Sequence, residues 1–388
     1  MGNPSDVPRC SRSYVGRMSR ATWQIETLIV GGGQAGLAVA YHLKQRRRHF
    51  LVMDANQRVG DSWRARWDSL RVFTPARYDG LPGWRFPARG WSYPTKSDVA
   101  DYLETYAARF GLDVRTGVSV EALTRTQDGF VAVTDQDRYL ADNVVVACGG
   151  YQFPLIPSFA RDLDPEISQL HSTQYRNTAQ LSDGDVLVVG AGNSGAEIAV
   201  EVAGVHRTWL SGRDVGQEPV RAGGLLDRVL TPPFWFVLTR MLSVQTPLGR
   251  KARDSLSGQG LPLARVRRRA IAAAGVERVP RVTAVTQGLP VLEDGRRLRP
   301  RTIVWCTGFR PNFSWIDLPI LDDDGRPRHD SGIVAAEPGL YFVGLFFLSH
   351  GGSSLIGGVG RDASRIAAHI DAQRTRKTPH PAASPVHS

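Results

Sequence analysis

Cysteine is scarce in this 388-residue chain, which contains only Cys10, Cys148 and Cys306. Three scattered cysteines cannot build a disulfide framework, and the absence of a C-x-x-C pair excludes a dithiol relay of the thioredoxin-reductase type. Cys148 and Cys306 each end an apolar segment just before a glycine-containing turn, which favours structural burial of both thiols. No group of residues has the spacing of metal ligands, so we expect no metal site.

Long apolar runs are absent as well, because no stretch approaches the ~20 uninterrupted apolar residues of a membrane-spanning helix. The most apolar segment, Leu225 to Leu242, contains charged residues and the break Pro232-Pro233. It predicts a buried helix over a cleft, and the less favoured alternative is a membrane-surface patch. The N-terminal sequence lacks the apolar core of a signal peptide, so we expect a cytoplasmic protein without a transmembrane segment.

Acidic residues are outnumbered: 48 lysines and arginines face 37 aspartates and glutamates, which gives a formal net charge of +11. Basic residues cluster at Arg265-Val266-Arg267-Arg268-Arg269, but no nucleic-acid-binding motif accompanies them. The cluster therefore favours a solvated helix face, or an attraction for cofactor phosphates, over a nucleic-acid partner. The apolar fraction of 42% is typical of a globular protein, and the length allows two or three domains.

Glycine, by contrast, is abundant, and it forms two fingerprints of the same spacing. The first is Gly31-Gly32-Gly33-Gln34-Ala35-Gly36, and the second is Gly190-Ala191-Gly192-Asn193-Ser194-Gly195. Each follows an apolar segment typical of a strand and precedes a segment typical of a helix. This arrangement indicates a dinucleotide-binding unit at each fingerprint.

Each glycine of a fingerprint has a separate role. The first permits the tight turn, the middle one lets the backbone approach the pyrophosphate, and the last lets helix and strand pack closely. The helix N-terminus then offers free N–H groups and a partial positive charge to the phosphates. The predicted cofactor-binding residues of the two turns are Gly31, Gly33, Gly36, Gly190, Gly192, Asn193, Ser194 and Gly195.

A charged residue follows the first glycine of each fingerprint at the same spacing, and the two charges are opposite. Asp54 stands at this position in the first unit and Arg213 in the second. A carboxylate accepts hydrogen bonds from ribose hydroxyls, whereas an arginine pairs with a 2′-phosphate. FAD has a free adenosine ribose and NADPH carries a 2′-phosphate. We therefore predict FAD in the first unit and NADPH in the second.

In combination and order, the motifs of this chain resemble those of the flavin-containing monooxygenases, especially bacterial flavoproteins similar to plant indole-3-pyruvate monooxygenases. The resemblance covers about residues 25–372 and includes both fingerprints. The other motifs are Gly60-Asp61-Ser62-Trp63-Arg64, Ala147-Cys148-Gly149-Gly150, Leu170-His171-Ser172 with Tyr175, and Cys306-Thr307-Gly308-Phe309. We expect His171 to be a structural histidine at the hinge between the two units.

The resemblance implies an FAD- and NADPH-dependent monooxygenase that acts on a small organic substrate and O2. In such enzymes NADPH reduces the flavin at N5, the reduced flavin adds oxygen at C4a, and the C4a-peroxyflavin oxygenates the substrate. Two alternatives stay open: an FAD-dependent reductase or oxidase without oxygenation, and a non-enzymatic flavoprotein that senses redox state. The oligomeric state is also open, with a homodimer as one alternative.

The same resemblance implies further site residues. Trp63 would lie beside the flavin, with a core role as the alternative, and Ser62 near the ribityl chain or a phosphate. Gly308 and Arg310 would border the nicotinamide, where Arg310 would act as a catalytic residue by stabilising negative charge on the flavin, with a surface role as the alternative. The predicted cofactor-binding residues are completed by Gly149 and Gly344, which each follow an apolar strand.

Three departures from the family pattern concern hydroxylation more than cofactor binding. Pro165 and Ile167 stand where the family has a Phe-x-Gly, and Leu345 stands where many related flavoproteins have an aspartate. No asparagine occurs near Thr74-Pro75, where some members carry one in the active site. The apolar stretch Phe234-Trp235-Phe236-Val237-Leu238 is our candidate for one side of a cover that keeps water from the flavin.

The predicted fold class is α/β, with two Rossmann-like dinucleotide-binding domains and the NADPH domain inserted in the FAD domain. The predicted ranges are an irregular extension at 1–23, a first segment of the FAD domain at 24–160, the NADPH domain at 181–280, a second segment of the FAD domain at 281–372 and a disordered tail at 373–388. Local patterns place the first strand near Glu26, a helix N-cap at Ser97 and the last helix at about Asp362 to Ala372. Met18 is an alternative start of the chain.

Overall fold

The computed structural model describes residues 21–218, 222–256 and 261–376. Its strands are β1 (Thr22–Val30), β2 (Phe50–Asp54), β3 (Val114–Thr116), β4 (Val120–Arg125), β5 (Phe130–Thr134), β6 (Arg138–Val146), β7 (Phe153–Pro154), β8 (Ser168–His171), β9 (Val186–Val189), β10 (Thr208–Ser211), β11 (Glu277–Val279), β12 (Val282–Thr286), β13 (Leu289–Leu292), β14 (Thr302–Trp305), β15 (Phe309–Arg310) and β16 (Leu340–Phe342). Its α-helices are α1 (Gln34–Gln45), α2 (Asp61–Arg64), α3 (Lys96–Arg109), α4 (Asn193–Val202), α5 (Leu225–Phe236), α6 (Pro247–Leu256), α7 (Arg268–Ala273) and α8 (Val359–Arg376).

The first sheet is built around β1 and has the strand order β3-β2-β1-β6-β5-β4. β1 pairs in parallel with β2 and β6, so that Val30 lies opposite Met53 and Val146. β16 adds a parallel partner to the last residues of β6, whereas β4, β5 and β6 pair antiparallel. The carboxyl ends of β1, β2, β6 and β16 therefore meet at one edge, where ligands bind in sheets of this class.

The second sheet has the order β11-β10-β9-β14-β8, and all of these pairs are parallel. Its strands come from both sides of the predicted NADPH range of 181–280. The sheet includes β14, which follows the predicted end at 280, and β8, which precedes the predicted start at 181. The reason is pairing: Val186 of β9 lies between Thr208 and Thr302, so β14 covers the second edge of β9.

The second sheet is an insertion, because its strands lie in the sequence between β6 and β16 of the first sheet. The chain crosses between the two sheets twice. At the crossing, β7 and β15 form a short antiparallel pair in which Phe309 faces Pro154 and Arg310 faces Phe153. The predicted fold class, with one dinucleotide-binding domain inserted in another, is confirmed.

Three element bounds differ from the sequence-based expectations. β1 begins at Thr22 instead of Glu26, because β6 offers it pairing partners along that whole length. The N-cap of α3 is Thr95, not Ser97: the Thr95 hydroxyl accepts a hydrogen bond from the Asp98 N–H at 3.1 Å, and the Asp98 carboxylate accepts one from the Thr95 N–H at 2.8 Å. Helix α8 reaches Arg376, so the start of the predicted disordered tail is helical.

Apolar side chains cover both faces of each sheet. One segment connects the two cores. Trp63 packs against a core cluster of each unit, and Trp67 and Leu70 are buried in the cluster of the second unit together with Val186. The polypeptide that follows α2 is therefore a structural bridge from the first unit into the second.

Helix α5 contradicts the expectation of a buried helix. Leu225 is 82% exposed, Leu226 67% and Val229 66%, whereas the buried side chain of this helix is Asp227. The two prolines do not break the segment, because both lie inside α5, which continues into a π-helix at Val237–Met241. Among the residues that the structure describes, no helix combines the length and the apolar character that crossing a bilayer requires.

Candidate cofactor-binding sites

The turn after β1 has a backbone that requires glycine at two positions. Gly31 has a φ of 112°, and a Cβ there would lie 2.7 Å from the carbonyl oxygen of Ala147. A Cβ on Gly36 would lie 1.9 Å from the Gly31 oxygen, so α1 packs directly on the turn. A Cβ on Gly33 would meet nothing within 4 Å. Gly33 therefore borders an open volume at the N-terminus of α1, as expected for a phosphate cradle.

The turn after β9 repeats this arrangement. Gly190 has a φ of 109°, and a Cβ there would lie 2.2 Å from the Cys306 oxygen. A Cβ on Gly195 would lie 1.7 Å from the Gly190 oxygen, whereas one on Gly192 would meet nothing within 4 Å. The three glycines therefore have matching steric surroundings in both units.

Both helices that follow these turns begin without a side-chain cap and without an acidic residue in the first turn. Their first N–H groups and the positive end of the helix dipole are thus left for an anion. The Asn193 side chain is engaged elsewhere, since its Nδ2 donates to the Pro262 oxygen at 3.0 Å and its Oδ1 accepts from the Ala264 N–H at 2.9 Å. Asn193 fixes that segment beside α4, and Ser194 is half-buried next to it.

Asp54 is the last residue of β2 and is 9% exposed. Its Oδ2 accepts a hydrogen bond from the Gly32 N–H at 2.6 Å, and its Oδ1 accepts two from Asn56 at 2.7 Å each. These bonds hold the carboxylate at the edge of the first glycine turn. This is the position from which an acid can accept hydrogen bonds from a ribose.

The counterpart of Asp54 in the second unit is Gly212, one residue before Arg213. The Gly31 N–H donates to the Met53 oxygen at 2.7 Å, and the equivalent Gly190 N–H donates to the Ser211 oxygen at 2.8 Å. Asp54 follows Met53, and Gly212 follows Ser211, where β10 ends. The equal spacing of Asp54 and Arg213 thus gave an equivalence that is wrong by one position, because α4 is two residues shorter than α1 and the loop that follows it is one residue longer.

A pocket of about 310 Å³ opens beside the second glycine turn. The Arg268 guanidinium contacts the Asp214 carboxylate at 2.6 Å, and Arg278 Nη2 donates to the Gly212 oxygen at 3.1 Å. The Gly216 N–H and then Arg268 lower the pKa of Asp214. The pocket is lined by Ala191, Asp214, Leu263, Arg268, Ile271, Ala272, Val276 and Arg278. Apolar walls and two guanidinium groups suit a planar base that carries a phosphate.

Sequence reasoning missed the position of Arg268 and Arg278. The basic run Arg265 to Arg269 was a visible signal, since it contains Arg268 and an attraction for phosphates was one of its interpretations. Arg278 gives no local signal, because it reaches the pocket through the pairing of β11 with β10, where it lies opposite Leu210.

The residues around α2 are divided between solvent and core. Ser62 is exposed, and Trp63 is half-buried between the two cores. Arg64 pairs with Asp61 at 3.0 Å and with Glu104 at 2.7 Å. The core role of Trp63 is therefore present in the structure, and Arg64 fastens α2 to α3.

Gly149 and Gly344 lie at the carboxyl edge of the first sheet, after β6 and β16. Gly149 has a φ of 68°, and a Cβ on it or on Gly150 would meet nothing within 4 Å. Gly344 has a φ of 83°, and a Cβ there would lie 2.7 Å from the Cβ of Ala35. Gly149 thus borders open space, whereas Gly344 allows the chain to pass close to the start of α1.

The hinge between the units contains His171 and Gly308. The Nε2 of His171 lies 3.2 Å from the Gly308 oxygen and its Nδ1 lies 3.1 Å from the Thr173 hydroxyl, so the buried ring has partners on both nitrogens. Burial lowers the pKa of His171. This is the structural role that we expected. Arg310 lies in β15 and is exposed, while the Arg66 guanidinium stacks 5.2 Å from the Phe309 ring centre.

A second cavity, of about 400 Å³, lies where α5 meets the first unit. The rings of Tyr78 and Trp235 face each other there with centres 4.9 Å apart. Trp235 is half-buried, but Phe234 and Phe236 of the predicted cover are exposed. The cavity is lined by Arg77, Tyr78, Gly80, Leu81, Gly83, Trp84, Arg85, Trp235 and Gly357.

Asp79, between two lining residues of this cavity, is fully buried. Its Oδ1 accepts a hydrogen bond from the Thr74 hydroxyl at 2.5 Å, and its Oδ2 has no hydrogen-bond partner among the described residues. Burial raises the pKa of Asp79 to about 7, against the smaller lowering effect of Thr74. A carboxyl group thus occupies the region where the sequence lacks the asparagine of some flavin monooxygenases.

Three comparisons with known proteins all find similarity to oxidoreductases. Residues 28–214 match the family described as pyridine nucleotide-disulphide oxidoreductase. The chain is 37% identical to the uncharacterized oxidoreductase CzcO-like of Geobacillus kaustophilus, over 88% of this chain and 97% of the relative. It is 27% identical to the probable indole-3-pyruvate monooxygenase YUCCA9 of Arabidopsis thaliana, over 90% of each chain. The flavin-containing monooxygenase of Stenotrophomonas maltophilia has a similar structure, with a TM-score of 0.72 and 26% identity over 91% of this chain and 99% of that one.

Proposed function

This chain belongs to the flavin monooxygenase family, and we propose that it uses NADPH and O2 to oxygenate a small organic substrate. FAD and NADPH are its cofactors, as for an oxidoreductase of this family. The monooxygenase reaction, with an oxygen adduct of the flavin as its intermediate, is the finer level of the proposal. It is supported by the likeness to monooxygenases in both sequence and structure.

The observation that carries the proposal is the contrast between two cradles of the same backbone shape. The first cradle has the Asp54 carboxylate at its edge, where a 2′-phosphate would be repelled. At the second, Gly212 replaces that carboxylate, and Arg213, Arg268 and Arg278 lie on or beside the loop that follows. A carboxylate at the first strand end, and a neutral strand end with arginines beside it in the second unit, favour FAD in the first unit and NADPH in the second.

FAD fits the first unit because open space lies where its phosphates need it. A side chain on Gly33 or Gly149 would extend into empty volume, so both glycines leave room for a ligand against the backbone. The uncapped α1 offers N–H donors to the pyrophosphate, and Asp54 offers acceptors to the adenosine ribose. We propose that Gly31 and Gly36 shape this cradle.

NADPH fits the second unit for the same reasons, and a pocket beside the second glycine turn adds a further one. Gly192 leaves room at the start of α4, and Asn193 holds the segment that places Leu263 in the wall of the adjacent pocket. We propose that this pocket receives the adenosine end of NADPH. Arg268 and Arg213 would then bind the 2′-phosphate.

Bound FAD supplies the electron-transfer and oxygen-activating chemistry, and the chain supplies position and exclusion of water. Trp235 covers Tyr78 at the cavity beside α5, which makes it the best candidate for a group that shields the reacting atoms. Arg66, half-buried at the hinge, is better placed than the exposed Arg310 to bring positive charge between the two units. We propose Arg66 alongside Arg310 as a stabiliser of negative charge on the flavin.

Disulfide reduction is not supported by the described cysteines. Burial raises the pKa of Cys148 and of Cys306 to about 12, so neither thiol is a ready nucleophile at neutral pH. The two thiols also follow strands of different sheets, β6 and β14. A reductase or oxidase that acts on small molecules stays the second candidate.

The test is oxygen incorporation. Purified holoprotein is supplied with NADPH and isotopically labelled O2 against a panel of small organic substrates, and the product mass is measured. One labelled oxygen atom in the product for each NADPH consumed supports the proposal. NADPH consumption that yields only hydrogen peroxide or water, with no labelled product and no transient oxygen adduct on rapid mixing of the reduced protein with O2, favours the reductase or oxidase.

Replacing Trp235 by alanine tests the shielding group. We expect the fraction of NADPH that appears as oxygenated product to fall by roughly half, because water reaches the flavin more easily. The matched control is Trp23→Ala, which removes the same ring from the far end of β1. An unchanged fraction in Trp235→Ala would exclude this residue from the cover.

A further inference from the structure

Helix α5 turns its polar side toward the protein and its apolar side toward solvent, which is the reverse of an ordinary surface helix. Asp227, Thr231 and Trp235 follow each other at every fourth position and face the protein. The Asp227 carboxylate accepts hydrogen bonds from the Thr231 and Tyr93 hydroxyls and, at 2.8 Å, from the Gly223 N–H. The polar side of the helix is thus the side that is fixed to the protein.

The opposite side of α5 is apolar and faces solvent. Its exposed side chains are Leu225, Leu226, Val229, Leu230, Phe234 and Phe236. Met241 at the end of the π-helix and Leu248 in α6 are exposed apolar side chains of the segment that follows. We call these eight side chains the α5 surface. A concentration of exposed apolar side chains of this kind is typical of an interaction site.

Cations surround the α5 surface. Arg228, Arg240 and Lys251 are exposed, and none of them forms an ion pair with a described carboxylate. The one exposed acidic residue between 222 and 256 is Asp254, which pairs with Arg253 at 3.1 Å. Apolar side chains bordered by unpaired cations are the combination by which helices bind the interface of an anionic bilayer.

We propose that the α5 surface docks on a bilayer that contains anionic phospholipid. A second copy of this chain fits less well, because two copies that meet through this surface would bring their unpaired cations together. A bilayer accepts both features at once: acyl chains take up the leucine and phenylalanine side chains, and headgroup phosphates pair with the arginines and the lysine.

Hydrogen bonds hold the residues that follow α5 to the rest of the protein, so the α5 surface has a fixed position for docking. Arg361 Nη1 donates to the Thr239 oxygen at 2.6 Å, and the Gly351 N–H donates to the Leu242 oxygen at 3.1 Å. The helix therefore binds lipid without unfolding and keeps its position relative to α8. Trp235, on the inner side of the same helix, lines the 400 Å³ cavity. Docking would hold that cavity just beneath the lipid surface.

The test uses the full holoprotein and phospholipid vesicles in a sedimentation assay. We expect binding to vesicles of mixed phosphatidylglycerol and phosphatidylcholine at low salt, and weaker binding at high salt or to phosphatidylcholine alone. The double variant Leu225→Gln/Leu226→Gln should bind at least about tenfold more weakly, because both side chains are exposed and would enter the bilayer. Arg228→Gln should weaken binding to the anionic vesicles only.

The matched control is Val205→Gln, an exposed apolar side chain outside the α5 surface, which should bind vesicles as the unchanged protein does. The flavin absorbance spectrum of each variant reports that it is folded. Two results would overturn the proposal. One is sedimentation of neither the protein nor its variants with any vesicle. The other is a dimer in analytical ultracentrifugation that the double variant converts to a monomer, which would assign the surface to a second copy.

Discussion

The two glycine turns have nearly the same backbone and different surroundings. Gly33 has φ and ψ of −79° and −171°, and Gly192 has −77° and −170°. The first glycines of the turns have φ values of 112° and 109°. The difference begins at the neighbouring strand end, where a carboxylate stands in the first unit and a glycine in the second.

This comparison separates two contributions to cofactor binding. In the proposed assignment, the turn would bind a feature that FAD and NADPH share, the pyrophosphate, through backbone N–H groups and an uncapped helix. The strand end would bind what differs between them, the free or phosphorylated ribose, through charge. A dinucleotide-binding fold can therefore change its ligand without changing its turn.

The largest expected effect is the loss of one cofactor when a side chain is introduced into one glycine turn at a time. Gly33→Val should abolish FAD binding, with a loss of affinity of at least about 100-fold, because the new side chain occupies the phosphate volume. Gly192→Val should retain FAD and lose reduction by NADPH. Both variants should fold, since neither position has a positive φ or a close neighbour. Flavin absorbance and stopped-flow reduction are the measurements. A yellow, NADPH-reducible Gly33→Val would contradict the assignment of the units.

The next effect concerns the charge at the second strand end. Arg268→Gln should lower kcat/KM for NADPH by about 10- to 100-fold, the value of one or two charge-assisted hydrogen bonds, and leave kcat/KM for NADH nearly unchanged. Arg213→Gln should act in the same direction. Steady-state kinetics with both nucleotides measure the ratio. Arg299→Gln, an exposed arginine on the approach to β14, is the control. An equal decrease in kcat/KM for NADPH and for NADH would show that Arg268 does not act by binding the 2′-phosphate.

A smaller effect is expected at the first strand end. Asp54→Asn keeps an acceptor for the Gly32 N–H but removes the negative charge that would bind ribose hydroxyls. The affinity for FAD should fall about tenfold, which corresponds to the loss of one hydrogen bond to a charged group. Titration of the apoprotein with FAD, followed by fluorescence, measures the change. The affinity for NADPH should not change, and a decrease there would place the nucleotide in the first unit.

The smallest expected effects concern the carboxyl groups of Asp79, which is buried, and Glu197, which is half-buried, one in each unit. Burial raises the pKa of Asp79 and of Glu197 to about 7, and Arg265 lies 3.4 Å from Glu197. A carboxyl with a raised pKa binds more protons in the folded state, so its contribution to the free energy of unfolding falls as pH rises from about 4 to 7.

Asp79→Asn should therefore raise Tm at pH 8 by at least about 2 °C, because the amide carries no buried charge. Glu197→Gln should gain less, since it leaves Arg265 without its partner. Thermal unfolding of both variants at pH 5 and pH 8 checks the order. A larger gain for Glu197→Gln would mean that the ion pair with Arg265 contributes little.

Several features of the cofactor sites were predictable from the sequence. The tight turn at Gly31 and the close packing at Gly36 followed from their spacing, because sterics within a few residues fix a glycine turn. The insertion of one domain in the other was predictable too. The strand that ends at Trp305 was predicted, but its place in the second sheet was not, because strand pairing depends on residues far away in the sequence.

Burial was the least predictable property. The apolar residues Leu225 to Leu242 indicated a buried helix, but the structure exposes the side of α5 that contains Leu226 and Phe234. Hydrophobicity alone does not say which side of a helix finds a partner within the chain. The hydrogen bond that Tyr93 donates to Asp227 holds the polar side of this helix against the first unit instead.

By itself, the sequence determined two glycine turns, each between a strand and a helix, and an acid at the end of β2. These features depend on local backbone sterics and on side chains a few residues away. The tertiary structure alone decided that Gly212 is the counterpart of Asp54 and that Arg278 reaches the same edge. Such positions follow from the register of paired strands, which forms only when distant segments of the chain pack together.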